Sequence, residues 1–315
     1  MKIINNLEKF NNKYKIHLAL GNFDGVHKGH KEVIKNAINE AKKNNSQAWI
    51  LTFDPHPLEI INPKLKIKNI STIKQKLAIF KNLNINGVII LKFNNEIKNL
   101  LPINFLNLLL KNITGLSGIY VGDDWSFGKN KSGNQKLLKQ FCDDKNIIYQ
   151  SQKPIIYQNK KISSTRIRNA ILGGNIYDAS LMLGYNFTIS GLVVHGKKIG
   201  RTLGFPTANI LAKNKCLPLN GIYAAICHFN NKSYDIALYI GTSETIDYDC
   251  NKVIEAYFID QYDLNLYDEY LEIEVISFIR SDQKFKNKDL LKKQIEKDVL
   301  EISKFLNQSQ SNLAN

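Results

Sequence analysis

Arginine is almost absent. Of the 43 basic residues in this 315-residue chain only four are Arg (Arg166, Arg168, Arg201 and Arg280), and Lys with 38 Asn dominates the polar composition. Such Lys and Asn richness reads as compositional drift, so the formal net charge of +15 is weak evidence for a nucleic-acid or membrane partner. Cysteine is scarce as well. Cys142, Cys216, Cys227 and Cys250 form no CxxC pair, which argues against a zinc site or a disulfide framework and points to a reducing compartment. No long apolar run occurs: Val88–Leu91 and Leu108–Leu110 fall far short of the roughly 20 residues of a membrane span. The N-terminal stretch MKIINNLEKFNNKYK has no apolar signal core. Internal repeats, low-complexity linkers and basic stripes interleaved with aromatics are also missing. A cytoplasmic globular protein is expected, with no specific nucleic acid and no membrane as partner. The apolar fraction of 43% fits that class.

The first half alternates strand and helix signals. Apolar strand-like runs at Lys15–Leu20, Ala48–Phe53, Gly87–Lys92, Gly118–Val121 and Ile147–Gln150 are separated by helical spacing at Lys28–Asn44, Ile73–Leu83, Ile103–Asn112 and Gln135–Lys145. Repeated β-α-β units predict a parallel sheet covered by helices on both faces. Beyond Leu183 the pattern changes to strands at Phe187–His195, Ile222–Phe229, Tyr234–Ile240, Val253–Ile259 and Tyr270–Ile279, a small barrel or sandwich. An amphipathic helix is expected at Asn287–Leu306. The expected domains are therefore 1–183 and 184–315. Charge divides the same way: residues 1–183 carry 28 basic and 12 acidic side chains, the remainder 15 and 16.

Three segments carry chemistry. Gly21-Asn22-Phe23-Asp24-Gly25-Val26-His27-Lys28-Gly29-His30 follows the first strand and opens the first helix. Its glycines permit tight turns and close approach of backbone to a ligand, and the helix N-terminus favours phosphate. His27 and His30, three apart, project from one face of the first turn, an arrangement suited to stabilising a phosphorus centre under attack. The alternatives are a solvated loop and, more weakly supported, a zinc site. The second segment, Ile162-Ser163-Ser164-Thr165-Arg166-Ile167-Arg168, supplies hydroxyls and two of the four Arg, whose forked donors suit polyphosphate in a way Lys cannot copy. It also suits a helix N-cap, and the two roles are compatible. The third segment, His195-Gly196-Lys197-Lys198-Ile199-Gly200-Arg201, is a glycine-flanked basic turn with backbone and side-chain donors for phosphate, although no Walker A pattern is present. Thr207 and Asn209 follow it as hard oxygen ligands for Mg²⁺ held with ATP phosphates. On its own the turn is a weak signal that reads first as a plain hairpin.

The segment GNFDGVHKGH resembles the HxGH signature of the nucleotidyltransferase superfamily. More narrowly it resembles the FAD synthetase module of bacterial bifunctional riboflavin kinase/FAD synthetases (FMN adenylyltransferases). LTFDPHP (Leu51–Pro57), VGDDWSFG (Val121–Gly128), ISSTRIR (Ile162–Arg168) and GRTLGFPTAN (Gly200–Asn209) resemble further family segments in the family's order. The resemblance implies an α/β fold class, with a Rossmann-like HxGH nucleotidyltransferase domain followed by a small β-barrel riboflavin kinase domain and a C-terminal helix. It implies that riboflavin and Mg-ATP give FMN on the second domain, and that FMN and ATP give FAD and pyrophosphate on the first.

By the same resemblance, ATP in the first domain contacts Gly21, Asn22, Phe23, Asp24, Gly25, His27, His30, Ser163, Ser164, Thr165 and Arg168. His27, His30 and Arg168 serve the adenylyl transfer, while Asp54 and Asp124 are candidates for orienting flavin or ATP. In the second domain Gly196, Lys197, Gly200, Arg201, Thr207 and Asn209 serve Mg-ATP, with Thr207 and Asn209 on the metal. Glu255 is the base toward the riboflavin 5′-hydroxyl, and Arg280 and the pair Lys284-Phe285 lie near flavin. Departures from the family pattern gather in this half. Tyr239-Ile240-Gly241-Thr242-Ser243-Glu244-Thr245 lacks the family's Arg-Pro, Asp268 replaces a Gly, Asp282 a Glu and Tyr185 an Arg, while in the first half Ser126 replaces an Arg. The alternatives are a transferase with an impaired or absent kinase, and a transferase acting on another phosphorylated substrate.

Overall fold

A computed structural model describes the chain except for residues 6, 8, 9, 11, 12, 197, 198, 214, 215, 243–251, 262, 263, 314 and 315, and except for the side chains of 199 and 309–313. Two compact units are present, Met1–Ser164 and Thr165–Asn315.

The first unit runs β1 (Lys2–Ile4), β2 (Ile16–Leu20), α1 (Lys28–Lys43), β3 (Gln47–Asp54), α2 (Pro57–Ile61), α3 (Ile73–Asn82), β4 (Gly87–Lys92), α4 (Asn95–Asn99), α5 (Pro102–Asn112), β5 (Leu116–Gly122), α6 (Gln135–Asp144), β6 (Ile148–Gln152), and a small hairpin of β7 (Ile156–Tyr157) and β8 (Lys160–Lys161). Strands β1 to β6 form one parallel sheet in the order β1-β4-β3-β2-β5-β6. Successive side chains on a strand point to opposite faces, and the sequence fills both with apolar groups. Leu18, Leu51, Ile89 and Val121 pack with Phe105, Leu106 and Leu109 of α5 and Leu138 and Phe141 of α6. Their strand neighbours Ala19, Ile50, Val88 and Tyr120 pack with Val33, Ile34 and Ala37 of α1 and Phe80 of α3. The expected doubly covered sheet is therefore present, extended by the short edge strand β1, which the sequence reading lacks.

Strand order places the ligand crevice. From β2 the chain steps outward through β3 to β4, then crosses back to add β5 on the other side of β2. In open α/β sheets ligands bind beyond the carboxyl ends of the strands at such a switch point. Gly21–His30 leaves the carboxyl end of β2, Asp124 follows β5, and Asp54 closes β3.

The second unit holds the remainder of α7 (Ser164–Leu172), then α8 (Ile176–Leu183), β9 (Thr188–Val194), α9 (Ile199–Thr202), β10 (Thr207–Ala212), β11 (Gly221–Phe229), β12 (Lys232–Thr242), β13 (Lys252–Phe258), β14 (Tyr270–Ser281) and α10 (Lys288–Leu313). The six strands close into an antiparallel barrel, β10-β13-β12-β11-β14-β9. Closure resolves the barrel-or-sandwich alternative and depends on β10, a strand absent from the sequence reading. The segment TANILA lacks a clear apolar alternation, and its pairing with both β9 and β13 makes it a strand. Helix α10 lays Ile302 and Leu306 against Ala224, Tyr257 and Ile259. The Arg280 guanidinium in β14 donates to both oxygens of Asp298 in α10, at 2.8 and 2.6 Å.

Candidate active sites

The first site grows from the exit of β2. Phe23 (φ 50°), Gly25 (φ 77°) and Val26 (φ 33°) all occupy the left-handed region, unfavourable for Phe and for a β-branched Val. Strain of this kind persists only where surroundings over-determine it, and it gathers at functional sites. The surroundings here are specific. Asp24, 3% exposed, accepts at Oδ1 from the backbone N–H groups of Ile70 (2.9 Å) and Ser71 (3.2 Å). Ser71 Oγ accepts from the Gly25 N–H at 3.0 Å, and Ser164 Oγ donates to the Asp24 carbonyl at 2.9 Å. Phe23 packs edge-on against His30 and Phe80.

His27 is the N-cap of α1, and its Nδ1 accepts from the His30 N–H at 3.2 Å. With Nδ1 accepting, the neutral ring carries its proton on Nε2, a tautomer assigned from this bond. The two imidazoles stack with centroids 3.6 Å apart and planes 15° apart, as the three-residue spacing predicts. Burial lowers the His27 pKa to about 4, opposed by nearby Asp124. His30 is pushed well below its usual value by burial first and then by His27 and Lys76. Both rings are therefore neutral at pH 7. His30 Nδ1 is buried and has no hydrogen-bond partner among the described residues.

Asp54 lies exposed at the end of β3. Asp124 is exposed and pairs with Lys161 Nζ. Of the second segment, Ser164 joins this site through Asp24, while Thr165, Arg166 and Arg168 follow on α7 in the second unit, where Ile167 and Ile171 are its buried residues. Sequence reasoning missed Ser71 and Lys76. Lys76 Nζ donates to the Asn22 carbonyl at 3.1 Å and to Thr52 Oγ1 at 3.3 Å. The available signal was the capping box of Thr72 and Gln75, which fixes the start of α3 and puts Lys76 one turn before buried Phe80 on the same face.

The second site belongs to the barrel. Register places Asn209 of β10 directly opposite Glu255 of β13, and Thr207 Oγ1 donates to Glu255 Oε2 at 3.1 Å. Gly196 and Gly200 lie against these residues. A Cβ on Gly196 would stand 2.2 Å from Asn209 Nδ2, and one on Gly200 would stand 2.3 Å from the Phe205 carbonyl and 3.4 Å from Thr207 Oγ1. Close approach of the Phe205 carbonyl requires glycine at 200, and a side chain at 196 would displace the Asn209 amide. Burial raises the Glu255 pKa, with the Thr207 hydrogen bond opposing the shift. Tyr239 lies across from Glu255 on β12, its hydroxyl donates to Asp282 Oδ2 at 3.1 Å, and burial is the main cause of a pKa pushed up to about 12. Gly196, Gly200, Thr207, Asn209 and Glu255 are thus brought together. Arg201 is exposed on α9. Lys197 and residues 243–245 lie outside the described residues. Arg280 is held by Asp298, and its Nη1 donates to the Ser281 carbonyl at 2.9 Å. No group of three or more His, Cys, Asp or Glu among the described residues is placed to hold a metal ion by itself.

A parallel α/β unit with a histidine pair at its switch point, joined in one chain to a small antiparallel barrel with a Thr-Asn-Glu cluster, defines a class of two-site nucleotide-using enzymes. The FAD synthetase family model matches residues 9–166 and the riboflavin kinase family model residues 183–306. The bifunctional riboflavin kinase/FMN adenylyltransferase of Buchnera aphidicola subsp. Schizaphis graminum is 37% identical over 96% of this chain and 97% of its own length. The Escherichia coli K12 protein of the same name is 31% identical, covering 91% and 92%. The chain belongs to the bifunctional riboflavin kinase/FMN adenylyltransferase family. Its fold is shared with the crystal structure of a macrolide-efflux protein from Streptococcus pneumoniae at TM-score 0.84 and 28% identity, covering 94% of this chain and 96% of that one. No described helix here is long and apolar enough to cross a membrane.

Proposed function

We propose that the chain makes FMN from riboflavin and ATP on its barrel, and FAD with pyrophosphate from FMN and ATP on its α/β unit. The observation that carries this reading is the stacked, neutral His27–His30 pair at the N-terminus of α1, at the carboxyl end of β2. Free helix N–H groups and ring N–H donors there meet the charge that grows on a phosphorus centre under attack. His27 Nε2–H is one such donor, and the orphan Nδ1 of His30 is a buried polar atom that a ligand would satisfy. A phosphate oxygen of FMN attacks the α-phosphorus of ATP in line, the bond to the β-phosphate oxygen breaks, and pyrophosphate leaves with that electron pair. The attacking oxygen is already anionic, so no base is needed, which agrees with imidazoles held neutral. Gly21, Asn22, Phe23, Asp24, Gly25, Ser163, Ser164, Thr165 and Arg168 are assigned to ATP, and Asp54 and Asp124 to orienting the flavin.

On the barrel, Glu255 takes the proton of the riboflavin 5′-hydroxyl as that oxygen attacks the γ-phosphorus and ADP leaves. Its raised pKa makes it the stronger base for this task. Gly196, Lys197, Gly200 and Arg201 cover the phosphates. The oxygens of Thr207 and Asn209 are hard donors suited to Mg²⁺, which needs only one or two protein ligands when phosphates supply others and which neutralises phosphate charge. Arg280, locked to Asp298, acts by fixing the end of β14 near the flavin rather than by a free guanidinium. The assignment places the functional boundary at 183/184 and the protein in the cytoplasm, with ATP, riboflavin and FMN as its small-molecule partners.

A transferase with an impaired or absent kinase is the second reading, favoured by the missing Arg-Pro of the family in the segment Tyr239–Thr245. Incubation with riboflavin and Mg-ATP, followed by chromatography, separates the readings. Accumulating FMN and then FAD supports two active sites. FAD from added FMN but none from riboflavin indicates a transferase alone.

A further inference from the structure

Among the described residues Lys76 is the one buried lysine or arginine, at 8% exposure. It is not held by a carboxylate: its described partners are the Asn22 carbonyl and Thr52 Oγ1, and no ion pair forms. Asp24 and Asp54 act on it only from a distance, and Asp24 Oδ1 is occupied by the N–H groups of Ile70 and Ser71. A buried ammonium without an ionic partner is costly and is retained where something else compensates it. The hydrogen bonds themselves do not account for it. Thr52 Oγ1 already donates to the Asn22 carbonyl at 3.0 Å, so an apolar residue at 76 would leave that carbonyl satisfied. Nearby His27 and His30 are neutral at pH 7 and supply no positive charge.

Resting on the nucleotide site assigned above, we propose that Lys76 is an interior cation of that site, a positioning and specificity-determining residue whose charge beneath Asn22 selects polyphosphate anions. The charge acts through the loop of Gly21–Gly25 and beside His30, so that a bound anion adds close compensation to a charge that Asp24 and Asp54 balance only from a distance. Burial lowers the Lys76 pKa and Asp24 and Asp54 oppose the shift, as for an interior ammonium whose carboxylates stand off rather than pair with it.

The test uses the full chain, calorimetric titration with inorganic pyrophosphate and Mg²⁺, and thermal denaturation, on the wild type, Lys76→Met and Lys76→Gln. Any pyrophosphate taken up by the barrel is common to all three proteins and cancels. Both variants are expected to lose pyrophosphate affinity at least tenfold while riboflavin phosphorylation is unchanged. Lys76→Met should melt no lower than the wild type, because it removes a buried charge. Lys76→Gln separates charge from hydrogen bonding and decides the matter if Lys76→Met does not fold. Variants that bind pyrophosphate within twofold of the wild type overturn the proposal. So does Lys76→Gln with full affinity beside a destabilised Lys76→Met, since the residue is then only a clamp. A wild type that makes no FAD from FMN and ATP, yet binds pyrophosphate in a Lys76-dependent way, refutes the assigned reaction and leaves Lys76 standing.

Discussion

Acid should destabilise the first unit through His27, by an amount that follows from its burial. In the unfolded chain an imidazole titrates near 6.5, and in the fold His27 titrates at about 4 because burial disfavours the charged ring. Between those values the unfolded state binds the extra proton, so stability falls as pH falls. For a single site with these two pKa values the loss relative to pH 7 is about 2 kcal/mol at pH 5 and about 3 kcal/mol at pH 4. His30, fully enclosed and shifted in the same direction, adds to it. The assay is urea denaturation of the wild type and of His27→Gln at pH 7 and pH 5, followed by near-ultraviolet circular dichroism. Glutamine keeps a side-chain oxygen that can accept from the His30 N–H while removing the titration. The wild type should lose about 2 kcal/mol more than the variant over this interval, which moves a urea midpoint by on the order of 1 M at a slope of 1–3 kcal/mol/M. Parallel losses in the two proteins would refute the assignment of a buried, neutral His27.

Two further outcomes follow from the barrel. Replacing Arg280 by Ala leaves Asp298 buried without its bidentate partner and should cost about 3–5 kcal/mol in a thermal or urea melt, whereas Arg280→Met with Asp298→Leu should recover much of that loss. Gly196→Ala drives a Cβ into the Asn209 amide and should lower riboflavin phosphorylation at least tenfold, with adenylyl transfer from added FMN unchanged.

Local chemistry was legible in the sequence, and chemistry assembled by long loops was not. His27 and His30 could be paired because one helical turn fixes their separation, and the structure stacks them. The two-faced sheet was legible because apolar residues occupy both parities of β2, β3 and β5. Lys76 reaches Asn22 across 54 residues, and nothing local reports that contact, although the capping box at Thr72 fixes which way Lys76 faces. Thr207 and Asn209 were chosen as oxygen donors without a strand to hold them. The opposition of Asn209 and Glu255 comes from β10 pairing with β13, which is long-range. The bond of Arg280 to Asp298 could not be anticipated, because it joins β14 to a later helix.

The most direct measurement of the two-site claim is product partition in two variants supplied with riboflavin and Mg-ATP. His30→Ala should accumulate FMN and form no FAD. Glu255→Gln should form neither product from riboflavin, yet convert added FMN to FAD at the wild-type rate. Loss of both reactions in either folded variant would contradict separate sites on the α/β unit and the barrel.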